Sequence, residues 1–205
     1  MPELLNKLDL LRCPHCNIDK PNLNQAAGFE SCDHASRHKR AWRVYICDNC
    51  GGAVIAAANA FGKAVLELYP SPRSVDDAIP VQAKAYLSQA IQSLHAPAGA
   101  VMLAASAVDS MLKAKGYKDG SLYSRIDKAA SDHLITSEMA KWAHQVRLDA
   151  NEQRHADESD ALPDTEDAQR SVDFASALGA FMFVFPNRVE AGLAASQTRK
   201  AKRSS

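Results

Sequence analysis

Two pairs of cysteines, each with the spacing C-x-x-C, constrain this chain of 205 residues more than any other feature. The first pair is Cys13 and Cys16, and the second is Cys47 and Cys50. A CxxC turn brings two sulfurs to one point, and two such turns supply the four thiolates of a closed tetrahedral zinc site. The sequence therefore predicts that Cys13, Cys16, Cys47 and Cys50 bind one structural Zn²⁺.

Other uses of these residues fit the sequence less well. A thioredoxin-like redox motif needs one CxxC beside a βαβ pattern, and neither pair has one. The thirty residues between the pairs contain Cys32, His34 and His38, which stay open as a substitute ligand or a second site. We favour a solvated loop for these three residues because they are scattered. A closed four-thiolate site leaves no position for water, so the predicted zinc is not catalytic.

The composition divides the chain into four segments. The first holds all five cysteines, the second is punctuated by prolines, the third is alanine-rich with helical periodicity, and the fourth is basic. We predict a zinc-ribbon module over residues 1–69, a linker over residues 70–80, a helical bundle over residues 81–193 and a basic tail over residues 194–205.

The apolar spacing predicts a mainly α fold, with an antiparallel helical bundle preceded by a small β zinc ribbon. Residues 42–46 alternate like a strand that runs into the second cysteine pair, and residues 53–58 follow as the returning strand. Five helices are predicted, at about residues 81–94, 98–115, 121–130, 136–155 and 165–185. Pro186 is expected to end the last helix because proline disfavours helix in the residue before it.

One predicted helix carries three polar residues at intervals of four. Arg147, Asn151 and His155 therefore share one face of it and are the candidates for a functional constellation. They lie near the C-terminal end of the predicted helix, where the helix dipole favours a cationic His155. The alternative is a structural role, in which the three residues tie the helix to its neighbours through hydrogen bonds.

The stretch RLDANEQRH, from Arg147 to His155, carries a resemblance to a known family. Residues 80–190 resemble the domain-of-unknown-function family 4145, a HEPN-like helical domain. That family has Gly-Asn where this chain has Ala150 and Asn151, and Ala-His where it has Arg154 and His155. An arginine usual in the second helix of the family is absent near Ala105.

The resemblance implies a HEPN-like bundle, and HEPN ribonucleases use an arginine and a histidine four to six residues apart. Here seven residues separate Arg147 from His155, and Leu148 follows the arginine. Residues 149–167 carry eight carboxylates, which would repel a phosphate backbone. We therefore predict a non-catalytic interaction or nucleic-acid-associated module. The alternative is a metal-independent ribonuclease with His155 as base and Arg147 or Arg154 as phosphate ligand.

Charge restricts the choice of partner. Lys plus Arg and Asp plus Glu each number 24, so only local patches can attract a polyanion. Residues 34–43, which include Trp42, and residues 199–203 are basic, so nucleic acid or a protein is the expected partner. The resemblance suggests phage defence or restriction as the setting. The apolar stretch 174–185 is too short to span a membrane and suggests a homodimer, and we expect a cytoplasmic location.

Overall fold

The computed structural model describes the backbone of residues 2–155 and 161–203, and the side chains of residues 2–151 and 161–197. The chain divides into two compact units, Met1–Arg73 and Ser74–Ser205. The first unit is built on an antiparallel sheet and the second on helices. The expected class, a helix-rich fold with a small β module at its N-terminal end, is confirmed at this coarse level.

Four strands form one antiparallel sheet in the described part of the first unit, in the order β1-β2-β3-β4. Their bounds are β1 Leu23–Ser31, β2 Arg40–Cys47, β3 Ala53–Ala58 and β4 Glu67–Tyr69. Strands β2 and β3 were predicted. Strand β1, in the segment between the cysteine pairs, was not predicted, whereas Cys32, His34 and His38 lie in the connection that follows it. Only Leu23 of this strand is buried, so no apolar alternation marks it in the sequence.

One face of this sheet forms the core of the first unit. On β2, Ala41, Tyr45 and Cys47 point to the same side, as the twofold repeat of a strand requires. They pack with buried residues of β3 and with buried leucines from the N-terminal segment, namely Leu4, Leu8 and Leu10. The Tyr45 hydroxyl donates a hydrogen bond to the carbonyl oxygen of Leu5 over 2.6 Å. This bond satisfies the one polar group that the tyrosine brings into the core.

Six α-helices occur in the described part of the second unit, and all five predicted helices are among them. Their bounds are α1 Val81–Gln92, α2 Pro97–Ala114, α3 Leu122–Ser131, α4 Ser137–His155, α5 Thr165–Gly179 and α6 Phe185–Arg203. Two starts are fixed by caps. The Ser121 hydroxyl accepts from the Ser124 N–H, and Asp164 forms a reciprocal capping box with Asp167.

The prediction that Pro186 ends the last helix is wrong. A π-helical turn, Ala180–Val184, follows α5, and α6 continues through Pro186 as far as Arg203. The Phe185 N–H donates to the Ala180 carbonyl, five residues back, which starts a new helix register. Pro186 then lies in the first turn of α6, where a missing N–H costs little. The basic tail is therefore helical as far as Arg203.

Helix α2 lies at the centre of the helical core and packs against α1, α4 and α5. Small side chains let these helices approach closely. Gly179, at the end of α5, shows how closely, because a Cβ there would lie 2.7 Å from Ile79 Cδ1 and 3.1 Å from Met111 Cε. Among the described residues, no helix is both long enough and apolar enough to cross a bilayer.

Candidate metal centre

The four cysteines of the two CxxC pairs converge on one point of the first unit. Cys13 and Cys16 lie in the segment before β1, Cys47 ends β2, and Cys50 lies in the turn to β3. Their Sγ atoms all lie within 4.8 Å of one another, and we refer to this group as the four-cysteine cluster. The Sγ atoms of Cys13 and Cys50 are 4.0 Å apart.

These distances fit a metal centre and not a disulfide. A tetrahedron with Zn–S bonds of ~2.3 Å has S–S edges of about 3.8 Å, close to the spacing seen here. A disulfide would bring two sulfurs to ~2.05 Å, and all five cysteines are free. The cluster is therefore a set of four soft donors that can hold one metal ion.

The two cysteine turns share the same backbone geometry. The Asn17 N–H donates to the Cys13 carbonyl over 3.0 Å, and the Gly51 N–H donates to the Cys47 carbonyl over 2.8 Å. Asn17 and Gly51, each directly after the second cysteine of its pair, have φ of 58° and 71°. Glycine and asparagine are the residues that tolerate this left-handed conformation best. The sequence thus encodes two matching turns.

Hydrogen bonds to sulfur stabilise thiolates in the cluster. The Gly52 N–H donates to Cys50 Sγ, and the Asn49 side-chain amide donates to Cys16 Sγ, each over 3.4 Å. Donors aimed at a sulfur favour its charged form, the form that binds metal. Asn49 also links the two pairs, because it lies inside the second pair and contacts the first.

The protonation of the cluster depends on a bound cation. Burial raises the pKa of the Cys13 thiol to about 12 and also raises the pKa of Cys50. At Cys16 burial acts in the same direction, but hydrogen bonds from the Ile18 N–H and the Asn49 amide outweigh it and lower the pKa to about 7. Without a cation the cluster therefore does not carry four thiolates at neutral pH. A coordinated metal ion deprotonates the thiols that bind it.

His15, inside the first pair, is a residue whose role the sequence did not reveal. Its Nε2 donates to the carbonyl oxygen of Ala53 over 2.8 Å, so it ties the first cysteine turn to the start of β3. Its ring lies against Gly52, where a Cβ would come within 2.5 Å of His15 Cδ2. The Gly-Gly that follows the second pair is the sequence signal for this close approach.

Cys32, His34 and His38 lie outside the four-cysteine cluster. Cys32 is exposed in the connection from β1 to β2, and His38 Nε2 lies 3.9 Å from an Asp33 carboxylate oxygen. Within residues 2–151 and 161–197, whose side chains the structure describes, the four cysteines are the only group of three or more Cys, His, Asp or Glu side chains close enough to share an ion. The described structure therefore offers no second metal cluster built on these residues.

Two of the three polar candidates on α4 line a cleft in the helical unit. Arg147 and Asn151 border a cavity of about 230 Å³, together with Ser121, Tyr123 and Ala105. The Arg147 guanidinium carbon lies 5.3 Å from the centre of the Tyr123 ring, and its Nε is buried without a hydrogen-bond partner. The third candidate, His155, ends α4, and its side chain lies outside the described part of the structure.

His144 is a further polar residue on α4 that the sequence pattern did not single out. Its ring lies 4.7 Å from the Tyr123 ring, and its Nε2 lies 2.9 Å from an Asp127 oxygen. Tyr123 therefore contacts both His144 and Arg147. His144 and Arg147 are three residues apart, so they share one face of α4. The sequence prediction missed His144 because it followed polar residues spaced four apart.

Comparison with known proteins identifies the helical unit. No curated protein and no solved structure matches this chain. Residues 88–201 match the model of a family described as a domain of unknown function (DUF4145). The match covers more than half of the chain and includes α2 to α5 entirely and most of α6. This protein therefore belongs to the DUF4145 family, as the stretch around Arg147 and Asn151 predicted.

Proposed function

We propose that this protein is a zinc-binding, non-catalytic interaction module, in which one structural Zn²⁺ organises the first unit. The observation that carries the proposal is the convergence of Cys13, Cys16, Cys47 and Cys50 within 4.8 Å. Zinc suits this site because four thiolates in tetrahedral geometry select it over the harder divalent ions. The first unit is then a zinc ribbon.

The role of the metal follows from what it joins. Cys13 and Cys16 belong to the N-terminal segment, whereas Cys47 and Cys50 belong to the turn between β2 and β3. A bound ion would fasten that segment to the sheet. Units of this size gain much of their folding free energy from such an ion. Because free thiols persist in a reducing compartment, we also propose a cytoplasmic location.

Metal content tests the proposal directly. Purified protein should carry about one zinc per chain, measured by elemental mass spectrometry. The double variant Cys13→Ser/Cys50→Ser should lose the metal, whereas Cys32→Ser, which removes an exposed cysteine outside the cluster, should keep it. Wild-type protein that is fully folded and free of metal would contradict the proposal.

Membership of the DUF4145 family gives the module its setting by analogy. We propose that the helical unit has a HEPN-like arrangement and that the protein works in phage defence or restriction. Its partner would be nucleic acid or another protein. The support within the chain is the basic connection between β1 and β2, where Arg37, Lys39 and Arg40 border a concavity of about 430 Å³.

A second candidate function is a metal-independent ribonuclease, and the cleft beside α4 favours it. The buried, unpartnered Nε of Arg147 is a donor that a phosphate oxygen would satisfy, and Asn151 borders the same cavity. In this mechanism His155 acts as general base on the 2′-hydroxyl, and Arg147 or Arg154 holds the phosphate.

Incubation of the protein with RNA in the presence of a chelator separates the two candidates. Cleavage that disappears in both His155→Ala and Arg147→Ala would favour the ribonuclease. Asn24→Ala, which removes a polar side chain from the sheet unit, serves as the control and should change nothing. Intact RNA after prolonged incubation with folded wild-type protein supports the non-catalytic module.

A further inference from the structure

We infer that the outer face of the β-sheet binds single-stranded nucleic acid, with bases stacked on exposed aromatic rings and phosphates held at the basic connection between β1 and β2. This inference rests on the proposed function, because it names the partner of the zinc-organised unit. It concerns surfaces that neither the four-cysteine cluster nor the cleft beside α4 uses.

The strand register places the aromatic residues on one side of the sheet. Phe29 pairs with Trp42 across β1 and β2, and Ile55 pairs with Tyr69 across β3 and β4. All four point away from the core, because the alternate positions on β2 and β3 are the buried ones. We call this set, Phe29, Trp42, Ile55 and Tyr69, the aromatic face.

Three side chains of the aromatic face are exposed, Trp42 is half-buried, and the rings are already ordered. Phe29 is 53% exposed and Tyr69 is 51% exposed. The rings of Phe29 and Trp42 are nearly parallel, 13° apart in tilt, with centres separated by 6.2 Å. The Trp42 Nε1–H donates to Ser31 Oγ over 2.8 Å, which holds the indole in place. Rings fixed before binding lose little entropy when a base stacks on them.

Positive charge lies at one end of this face. Ser36, Arg37, His38, Lys39, Arg40 and Asn59 line a concavity of about 430 Å³ beside the sheet. Arg40 forms an ion pair with Glu67, and the Tyr69 hydroxyl donates to the same carboxylate over 2.8 Å. Arg37 and Lys39 make no ion pair with any described residue. Two cations are therefore free for phosphates, and the acid on this face is already neutralised.

This combination of charge and rings fits unpaired nucleic acid better than a duplex. Every base offers a flat face to an aromatic ring, but a duplex keeps those faces inside its own stack. Trp42 on β2 and Tyr69 on β4 are two strands apart across the sheet and two residues apart along it, or about 12 Å. Two stacking positions are thus available along one path that begins at Arg37 and Lys39.

Fluorescence anisotropy with labelled single-stranded oligonucleotides, thymidine and uridine runs of equal length, tests the inference. Zinc-loaded protein should bind both single strands and bind a duplex of the same length much more weakly. Loss of one stacking ring in Trp42→Ala should weaken binding by roughly 5- to 150-fold. Leu11→Ala, which removes an exposed apolar side chain far from the aromatic face in sequence, should leave binding unchanged.

The phosphate contacts have their own measurement. In Arg37→Ala/Lys39→Ala the slope of log affinity against log salt should fall by about 1.4, because two single-strand phosphate contacts are lost. The matched control is Lys118→Ala/Lys128→Ala, which removes the same charge from exposed positions of the helical unit and should keep the wild-type slope.

Stacking can also be seen directly. The chain has two tryptophans, and Trp142 packs against Phe174 in the helical unit. In a Trp142→Phe background, Trp42 is the remaining tryptophan, and its fluorescence should be quenched as oligonucleotide is added. At low salt, Arg37→Ala/Lys39→Ala should weaken this quenching without abolishing it, because the stacking rings remain when the phosphate contacts are lost.

Three results would overturn the inference while leaving the proposed zinc module intact. They are no oligonucleotide binding at low salt by folded, zinc-loaded protein, equal affinity of the wild type and Trp42→Ala, and preference for the duplex. A protein partner that binds the aromatic face would also overturn the inference, if Trp42→Ala abolishes that binding and the wild type binds no oligonucleotide. Absence of zinc from the same samples would instead contradict the proposed function.

Discussion

At the scale of single residues, the contact between His15 and Gly52 joins the two halves of the candidate metal centre. The imidazole lies over Gly52 and donates to the Ala53 carbonyl, so the first cysteine turn is held against the second. Neither residue is a ligand in the proposed site. Both act on the metal through the position of the cysteines beside them, as residues around a metal site commonly do.

Gly52→Ala should weaken the centre. The added Cβ would lie 2.5 Å from His15 Cδ2, and relieving that overlap costs about 1–3 kcal/mol of unfolding free energy. Competition with a coloured zinc chelator should show faster and more complete metal loss than in the wild type. Gly99→Ala, where a Cβ meets no atom within 4 Å, is the control.

The mechanism of that effect can be isolated with a second variant. If the overlap with the imidazole is the cause, Gly52→Ala should add nothing to the metal loss of His15→Ala. Additive losses would show that Gly52 acts through its backbone and not through His15.

Ser121 has a comparable local role in the helical unit. Its hydroxyl accepts from the Ser124 N–H and caps α3, so Ser121→Ala should lower the free energy of unfolding by about 1 kcal/mol. Urea denaturation followed by circular dichroism measures this. Ser121→Asn should restore most of the loss, and Ser196→Ala, at an exposed helical serine, should be nearly neutral. Equal loss in the alanine and asparagine variants would argue against the cap.

At the scale of elements, the sequence signals were strong where burial is periodic and weak elsewhere. The helices and strand β2 alternate buried and exposed positions with the period of their type, so they were predictable. Strand β1 is held by its backbone pairing with β2 and exposes nearly every side chain. The helix continues through Pro186 because a π-helical turn precedes it, and the apolar pattern of the sequence does not predict such a turn.

Helix α6 carries an apolar stripe that bears on the predicted homodimer. The apolar residues proposed for that contact, among them Phe174, Leu178 and Met182, are buried inside the chain. Exposed apolar residues begin near the end of that stretch and continue along α6: Phe181 is 40% exposed, and Phe185, Val189 and Leu193 are 55–60% exposed and four residues apart, so they share one face. The homodimer stays a prediction, and we now expect its contact surface on α6.

We expect light scattering to give the mass of two chains at high protein concentration. Val189→Glu/Leu193→Glu should yield monomers, because the charges would be buried in the contact. Ala191→Glu changes the opposite side of the same helix and should not. A wild-type monomer at every concentration, or dissociation of both variants alike, would remove α6 as the dimer surface.

At the scale of the whole molecule, the two units draw their stability from different sources. The helical unit has a large apolar core built from α1 to α5. The core of the first unit is much smaller and includes two of the cysteines themselves, Cys13 and Cys47. The metal ion is thus expected to contribute folding free energy to the first unit alone.

Removal of the metal should therefore unfold one unit selectively. After chelation, hydrogen exchange measured by mass spectrometry should accelerate in β2 and β3, whereas the amides of α2 should stay protected. Circular dichroism should retain most of the helical signal. Exchange that accelerates in both units together would show that they fold as one cooperative body, and unchanged exchange in the sheet would show that the metal is dispensable.

The candidate metal centre was the most predictable part of this chain, because the spacing of its cysteines can be read from the sequence. Its supporting contacts were not, since His15 and Asn49 act across chain distances of more than thirty residues. The cleft that Arg147 shares with Tyr123 joins two helices in the same way. Contacts of this kind depend on the folded arrangement, and a single sequence does not identify the partners, although the Gly-Gly after the second pair indicates a close approach.

X-ray absorption at the zinc edge tests the central claim most directly. We predict one zinc per chain with a first shell of four sulfurs at ~2.3 Å and no nitrogen or oxygen ligand. A first shell with nitrogen or oxygen in place of a sulfur would contradict it. So would sulfur from fewer than four of the cysteines Cys13, Cys16, Cys47 and Cys50, identified by single serine variants.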